Sequence, residues 1–412
     1  MQSDNIIKRG IRLVRRRGIK GLFEKIRSRI NLIPDKHDII LNMGYIMEQE
    51  EIPLDEMEFE KHKNDNVKLL NWVIPEMGKG SGGHTTIFRM MSHLENMGFH
   101  SRVYLYMSPN YRDNASVIRF VREYFPLLDH RVEMFWDVSQ MTYAHATIAT
   151  SWETAYFVRR FKNTSANCYF VQDFEPYFFP NGSYYHLAEN TYNFGLYGIT
   201  AGYWLKEKLE KEYGMRTRGF GFSYDQAVYV PKEKTGLTKK IFFYARPYTS
   251  RREFEVGLLA LNKICTEMKD LTVVFAGEKL NNYVIPFAHE DHGIVSVEEL
   301  AKFYRECDMC LVMSGTNLSL LPLEIMGSNS VAVCSKGENS SWLVNEENSV
   351  MVDYDPIHIA DTILEYYKNP GNLDAIRKKG LEFAKTTSWE KEAVKIKEAL
   401  EEIFEREIVK KI

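Results

Sequence analysis

The chain has 412 residues and a formal net charge of −3 at pH 7, and 44% of its residues are hydrophobic. This composition is typical of a soluble globular protein, and the length is enough for two domains. Because no run of about 18 apolar residues occurs, the sequence excludes a membrane-spanning helix, and its start lacks the apolar core of a secretory signal.

The five cysteines stand at irregular spacing. An odd number without a regular pattern argues against a disulfide framework and predicts a reducing, cytoplasmic location. Cys307 and Cys310 form a single Cys-x-x-Cys pair. Since no second pair accompanies it, buried packing is favoured over metal or redox use.

Residues 1–66 are predicted to form a basic helical extension followed by an acidic connector. Residues 1–30 contain ten Lys or Arg and two acids, with apolar residues near helical spacing between them. Such a helix either lies peripherally on the inner, anionic face of the cell membrane or packs its apolar stripe on the protein body. The seven acids between Glu48 and Glu60 predict a solvent-facing connector.

Residues 67–235 have the pattern of an α/β domain. The predicted strands cover residues 67–74, 100–107, 147–150, 168–172 and 198–200. A glycine-rich loop and a helix at 85–97 join the first two strands, so this segment is a βαβ unit with parallel strands and a right-handed connection. The polar segment VPKEKTGLTKK, which begins at Val230, is predicted to link this domain to the next.

Residues 236–387 repeat the alternation of strands and helices. The predicted strands cover residues 241–245, 271–276, 309–313, 331–334 and 349–352. Helices are predicted at 252–268 and 297–306 and from Pro356 and Leu373 onward. A last helix, within residues 388–412, has apolar side chains at helical spacing.

The segment from Ser314 to Asn329, SGTNLSLLPLEIMGSN, carries the most specific signal. A strand enters a small-residue loop and then a helix whose single acid is Glu324. Loop amides at a helix start suit a phosphate, because the first N–H groups lack partners. A carboxylate one turn inside the helix suits a hydroxyl, such as one on a nucleotide sugar.

This arrangement resembles the C-terminal signature of retaining glycosyltransferases with the GT-B fold, especially glycosyltransferase family 4. That family has a Glu, seven residues and a second Glu, with Gly-Leu-Pro-Pro-Leu before the second. The residues LLPLE, ending at Glu324, match the second half. Thr316 stands where the first Glu is expected. The resemblance therefore supports the family's contacts to the nucleotide better than its contacts to the transferred sugar.

The resemblance implies an α/β protein of two Rossmann-like domains that face each other across a cleft, with the C-terminal helix crossing back to the first domain. Arg246 stands at the family's Arg position and Arg251 at its Lys position, with Arg252 beside it. These three are predicted to stabilise the departing diphosphate, since guanidinium groups bind phosphate oxygens in pairs. The predicted donor-binding residues are Glu324, Ser319, Leu320, Leu321, Thr316, Ile294, Val295, Tyr248, Gly82, Gly83 and His84.

The loop GKGSGG, which begins at Gly78, contains a literal G-x-G-x-x-G after a strand. A dinucleotide-binding fold would need an acid at the end of the next strand, about 20 residues on. The segment SRVYLYMSPN has none, so a dehydrogenase is disfavoured. Two interpretations stay open: the loop faces the cleft, with amides near a donor diphosphate or an acceptor, or it is a structural turn.

Two further segments of the first domain end strands in polar and aromatic clusters. The predicted acceptor-binding residues are Trp152, Glu153, Gln172, Asp173, Glu175, Tyr177 and Phe178. The aromatic side chains could equally be core, whereas the acids are harder to bury without a role.

These segments resemble bacterial rhamnosyltransferases that build cell-surface polysaccharides, including surface-layer glycans. The resemblance implies dTDP-L-rhamnose as donor and a growing, lipid-linked oligosaccharide as acceptor, in a retaining hexosyl transfer. No metal is predicted, because the resemblance implies that cations and helix dipoles, rather than Mg²⁺, stabilise the departing diphosphate. No cofactor or nucleic-acid partner is expected. The alternatives are a nucleotide-sugar hydrolase or epimerase and a non-catalytic GT-B protein that binds a glycan or nucleotide.

Overall fold

The computed structural model describes residues 39–411. The predicted basic helix at residues 1–30, with its membrane contact, lies outside this range. The chain separates into two compact units, Met1–Glu50 and Glu51–Ile412. In the first, the structure shows a short helix α1, Ile39–Met43, and a 3-10 turn, Gly44–Met47.

The second unit contains two parallel sheets. The first sheet has seven strands in the order β3-β2-β1-β4-β5-β6-β7. Its strands are β1 Lys68–Ile74, β2 Phe99–Leu105, β3 Glu133–Phe135, β4 Ala144–Ala149, β5 Thr164–Val171, β6 Tyr197–Ala201 and β7 Thr217–Phe220. Its helices are α2 Glu56–His62, α3 Gly82–Glu95, α4 Asn114–Tyr124, α5 Trp152–Val158, α6 Ser183–Asn190 and α7 Tyr203–Tyr213. All residues of β4 and β6 are buried, as expected for parallel strands covered on both faces.

The predicted βαβ unit is confirmed, because β1 and β2 pair in parallel around α3. Its helix begins three residues before the predicted start. The Ser81 side chain accepts a hydrogen bond from the His84 amide, and this cap lets the helix start at Gly82. The sequence analysis missed β3 and β7, which have only three and four residues.

The acidic connector is only partly solvent-facing. The backbone of Ile52 pairs with the segment at Phe161, and the Phe59 ring is buried. Asp55 caps α2 by accepting hydrogen bonds from two backbone amides. The acids at residues 51–60 stay largely at the surface, while Ile52, Leu54 and Phe59 are at least partly buried. This part of the connector therefore belongs to the first sheet's layer.

The second sheet has six parallel strands in the order β10-β9-β8-β11-β12-β13. Its strands are β8 Lys240–Ala245, β9 Thr272–Gly277, β10 His289–Asp291, β11 Met309–Val312, β12 Val331–Ser335 and β13 Val350–Val352. Its helices are α8 Phe254–Glu267, α9 Val297–Glu306, α10 Leu321–Gly327, α11 Pro356–Lys368 and α12 Pro370–Thr386. The predicted alternation is confirmed, and α9 has the predicted bounds because Ser296 and Glu299 form a capping box.

The last helix, α13 Trp389–Lys411, packs against the first sheet's layer although it follows the second sheet. Glu392 accepts a hydrogen bond from the Gly221 amide, and Glu402 pairs with Arg218. Phe404 meets the His145 ring edge-on at 5.9 Å. These contacts tie the C-terminus to the first domain, as predicted; the domain limits at 235 and 387 stay predictions.

The cysteines are all free and buried. Cys310 lies 3.5 Å from the Ser330 hydroxyl, within the core. The prediction that Cys307 and Cys310 are packed in the interior is therefore confirmed. Among the helices of residues 39–411, none is both long and apolar enough to cross a membrane.

Candidate functional site

Three arginines gather where β8 ends. Arg246 follows the strand directly, and Arg251 and Arg252 lie in a 3-10 turn that precedes α8. Backbone hydrogen bonds from Thr249 to Arg246 and from Arg252 to Thr249 fold the segment back on itself. The carboxyl ends of parallel strands share one edge of a sheet, which is where open α/β folds bind ligands.

The arginines differ in their partners. Arg246 pairs with Glu278, with 3.0 Å between Nε and Oε1, and donates to the Tyr244 hydroxyl at 3.2 Å. Within residues 39–411, neither Arg251 nor Arg252 has a carboxylate within the 4.0 Å limit of an ion pair. Half-buried cations that form no ion pair with a carboxylate favour an anionic ligand.

The surroundings of this pair keep both cations in place. The Arg251 guanidinium stands 4.3 Å from the centre of the Phe178 ring, and Arg252 donates to the Asn317 carbonyl at 3.1 Å. Burial, followed by repulsion from Arg251, lowers the pKa of Arg252 to about 10, so it stays charged at neutral pH.

The loop between β11 and α10 is held from within. The Ser319 amide, a predicted phosphate ligand, donates to the Asn317 side-chain oxygen at 2.8 Å, and Ser319 has a positive φ of 58°. The Ser319 amide is therefore occupied in this structure. Because helix α10 has only seven residues, the arginines rather than the helix start supply the positive charge.

Glu324 lies in a pocket of tyrosines. Burial raises the pKa of Glu324 to about 7, against the opposing effect of a hydrogen bond from the Tyr229 hydroxyl. Tyr229 stacks on Tyr304 with 6.1 Å between ring centres, and the buried Tyr304 hydroxyl has no partner among the described residues. Neither tyrosine could be predicted as a site residue, because no local sequence pattern marks them.

Asp173 joins the first domain to the second. Its Oδ1 accepts from the Asn339 side chain at 2.8 Å and from the Phe174 amide at 2.8 Å. Burial raises the pKa of Asp173, against the opposing effect of the neighbouring Thr316 side chain, and the Asn317 amide approaches Oδ2 at 3.5 Å. The structure thus brings together Thr316 and Asp173, which the sequence analysis assigned to donor and acceptor. The Asp173 oxygens are occupied by protein donors.

Trp152, Glu153 and Glu175 lie inside the first domain. The Glu175 carboxylate accepts from the Tyr169 hydroxyl at 2.6 Å and from the Trp152 amide at 2.7 Å, and burial raises its pKa to about 8. Trp152 packs edge-on against three other rings, and burial raises the pKa of Glu153. This placement favours core packing and helix capping over acceptor contact for the three residues.

Gln172 connects the glycine loop to the cleft. A Cβ built on Gly83 would stand 3.4 Å from its Nε2, and Gly82 and Gly83 are exposed. The His84 ring is hydrogen-bonded to the Ser81 hydroxyl at 2.8 Å, and burial lowers its pKa to about 4. The loop therefore borders the site with bare backbone, as the cleft-facing interpretation requires.

Four other predicted residues lie at the rims. Tyr177 is exposed next to Phe178, while Tyr248 and Ile294 are 73% and 87% exposed. Val295 packs against the core. An exposed aromatic ring and an exposed aliphatic side chain suit a flat, apolar ligand face.

Glu278 and Asn339 are site residues that the sequence analysis missed. Both follow strands of the second sheet, β9 and β12, so the rule that parallel strands end at one edge could have found them. In residues 39–411 no group of three or more His, Cys, Asp or Glu side chains is placed to hold a metal ion. Metal independence stays a prediction.

Known proteins resemble this chain in sequence. Residues 239–364 match the family described as "WsaF, C-terminal domain". Over 345 residues, 81% of this chain, the sequence is 29% identical to the O-antigen biosynthesis protein RfbC of Myxococcus xanthus. The match spans only 27% of that longer relative.

Solved structures share the architecture at low identity. TarM of S. aureus matches with a TM-score of 0.65 and 9% identity over 82% of this chain and 99% of its own. Sucrose-phosphate synthase from Thermosynechococcus elongatus matches with 0.63 and 12% over 82% and 100%. HepE of Anabaena, solved with UDP and glucose, matches with 0.62 and 13% over 81% and 100%.

Identities this low show the fold alone, and they confirm the predicted GT-B architecture of two Rossmann-like domains. The chain has the GT-B fold and resembles WsaF, since its residues 239–364 match the model of the WsaF C-terminal domain.

Proposed function

We propose that this protein is a glycosyltransferase that moves a sugar from a nucleoside diphosphate onto a growing cell-surface glycan. The observation that carries the proposal is the pair Arg251 and Arg252, which stands beside Arg246 without a carboxylate partner. A departing diphosphate gains negative charge, and cations already in place stabilise it without reorganisation. The RfbC relative and the HepE complex with UDP and glucose support this assignment.

Each residue has a role in this reaction. Arg251 and Arg252 bind the diphosphate, and Arg246 exchanges its pairing with Glu278 for a phosphate oxygen. Glu324 accepts hydrogen bonds from hydroxyls of the nucleotide sugar, in place of the bond from Tyr229. Tyr248 and Ile294 offer exposed faces to the base.

The bond between the sugar's anomeric carbon and the diphosphate breaks, and the acceptor oxygen forms the new glycosidic bond. In the retaining reaction that we propose, a phosphate oxygen of the donor takes the acceptor's proton. The occupied oxygens of Asp173 and Glu175 favour this route over a protein base.

The finer assignment is dTDP-L-rhamnose as donor, metal-free transfer and a lipid-linked acceptor at the inner face of the cell membrane. It rests on the sequence resemblance. The small Thr316 side chain, which is buried beside Asp173, fits a 6-deoxy sugar that offers fewer hydroxyls. If Thr316→Glu leaves rhamnose transfer and donor preference unchanged, this part of the assignment is wrong.

Calorimetric titration with dTDP and UDP in EDTA tests the proposal. Wild type should bind dTDP without metal, and Arg252→Ala should weaken binding at least about tenfold, because a charge-assisted contact is lost. Arg119→Ala, at an exposed position on α4, is the matched control and should bind like wild type. A preference for UDP would refute the assignment of dTDP-L-rhamnose as donor. If neither nucleotide binds, the non-catalytic alternative is favoured. Tight dTDP binding then justifies a rhamnose-transfer assay.

A further inference from the structure

Five groups connect the two domains at the arginines, and they are called the cross-cleft clamp here. The clamp consists of the Gln172 carbonyl and the side chains of Asp173, Thr316, Asn317 and Asn339. The Asn317 side chain donates to the Gln172 carbonyl at 2.8 Å. Two residues after β5 thus hold two loops of the second domain.

The clamp acts on the same loop that positions Arg252. Asn317 donates its side-chain N–H to the first domain, and its carbonyl accepts from Arg252 at 3.1 Å. A shift of Asn317 therefore moves the arginine. Because one residue makes both contacts, domain contact and the position of the cation are coupled.

The charge of Asp173 is placed to compete with a bound anion. Attraction to Asp173 partly restores the pKa values of Arg251 and Arg252, which burial lowers, although neither arginine forms an ion pair with it. Burial raises the pKa of the Asp173 carboxyl, whereas Thr316 and the two arginines oppose that rise and favour its charged form. A diphosphate between these arginines would meet this carboxylate close by. Like charges in a poorly solvated site repel strongly.

We propose that Asp173 is a positioning residue that serves as an internal counter-charge and holds the diphosphate site in a ligand-free arrangement. This inference rests on the proposed function of the arginines. Through Thr316, Asn317 and Asn339, the carboxylate keeps the domains in contact while the site is empty. Binding of the diphosphate replaces Asp173 as the charge that faces the arginines and loosens the clamp.

A structural or ligand-binding role for Asp173 predicts the opposite effect on affinity. If Asp173 merely supported the site, its loss would weaken nucleotide binding. If Asp173 is a counter-charge, Asp173→Asn removes the charge that repels the diphosphate. It also removes one oxygen that accepts hydrogen bonds in the clamp of the ligand-free state. Both changes favour the bound state. A gain in affinity is therefore the distinguishing readout.

The test is calorimetry of dTDP and inorganic pyrophosphate with wild type and Asp173→Asn. We expect the variant to bind both ligands about three- to tenfold more tightly. Asn339→Ala, which keeps the charge and removes one clamp contact, should give a smaller gain. Glu207→Gln, at an exposed carboxylate on α7, is the matched control and should leave affinity unchanged.

A distance measurement checks the coupling independently. Spin labels on cysteines introduced at Arg119 and Lys302 report the separation of the domains, since the natural cysteines are buried. Without ligand, Asp173→Asn and Asn339→Ala should broaden the distance distribution, and pyrophosphate should broaden that of wild type. If Asp173→Asn does not fold, Asn339→Ala decides alone.

Unchanged distances, or weaker binding in a folded variant, would overturn the counter-charge role even where wild type binds dTDP. Conversely, tighter pyrophosphate binding by a variant, with no binding of either nucleotide by wild type, would support the clamp and refute the proposed donor. The two ideas therefore fail on different results.

Discussion

Replacing Glu324 by Gln should have opposite effects on folding and on nucleotide binding. Burial raises the pKa of Glu324 to about 7. In an unfolded chain, a Glu side chain titrates near pH ~4.3. Between these values the folded protein keeps a proton that the unfolded chain has released. The stability that the protonated carboxyl contributes is therefore fully present below the unfolded pKa and is lost as the pH rises through about 7.

The size of this effect follows from the pH window. Each pH unit within it lowers the free energy of unfolding by about 1.4 kcal/mol, so wild type should lose about 2.5 kcal/mol relative to Glu324→Gln between about pH 5 and about pH 8. Burial also raises the pKa of Glu175, to about 8, but Glu175 titrates in both proteins and cancels in the difference. The neutral amide should thus make the variant the more stable protein at alkaline pH.

Urea unfolding of both proteins, followed by circular dichroism at several pH values, measures this difference. Calorimetry on the same samples should show dTDP binding about tenfold weaker in the variant, because an amide offers one acceptor oxygen and no charge. If both proteins lose stability in parallel as the pH rises, burial does not hold the proton on Glu324 and the reasoning is wrong.

Three further changes test other parts of the structure. Phe178→Leu removes the ring below Arg251 and should weaken dTDP binding about three- to fivefold in calorimetry, with little change in melting temperature. Gly277→Ala should destabilise the fold by about 3 kcal/mol in urea unfolding, because Gly277 has φ 127° and an added Cβ would clash with the Ala245 carbonyl oxygen. Gly371→Ala is its control and should be nearly neutral, because a Cβ there would meet nothing within 4 Å. Removal of residues 1–30 should abolish sedimentation with anionic liposomes at low salt, and equal sedimentation of both forms would exclude membrane contact by that segment.

The strands could be predicted from the sequence because their signals are local. A buried strand is a short apolar run, and Arg246 follows such a run directly. The role of the three arginines came from the resemblance and stays a prediction. The starts of α3 and α9 depend on the capping residues just before them, as Ser81 and Ser296 show. Strands β3, β7 and β10 were not predicted because runs of three or four residues give no periodicity.

The partners within the site could not be predicted, because they are distant in sequence. Asp173 and Thr316 lie on different domains, and only the fold brings the carboxylate to the hydroxyl. Tyr229 lies just before the linker, where nothing marks it as a partner of Glu324. The same limit explains Trp152 and Glu175, since an aromatic or acidic residue after a strand has the same local pattern whether it faces a cleft or the core.

The neighbouring Asp173 explains why position 316 holds Thr rather than the Glu of the related family. A Glu at position 316 would place a second carboxylate against a buried one, and two like charges in such a site cannot both ionise without a large cost. Thr316→Glu should therefore lower the free energy of unfolding by about 2–4 kcal/mol near neutral pH. If repulsion from Asp173 is the cause, adding Asp173→Asn should recover at least about 1 kcal/mol of that loss, and urea unfolding of the four proteins gives this coupling energy. Strictly additive effects would show that the two side chains do not interact, and would remove Thr316 from the cross-cleft clamp.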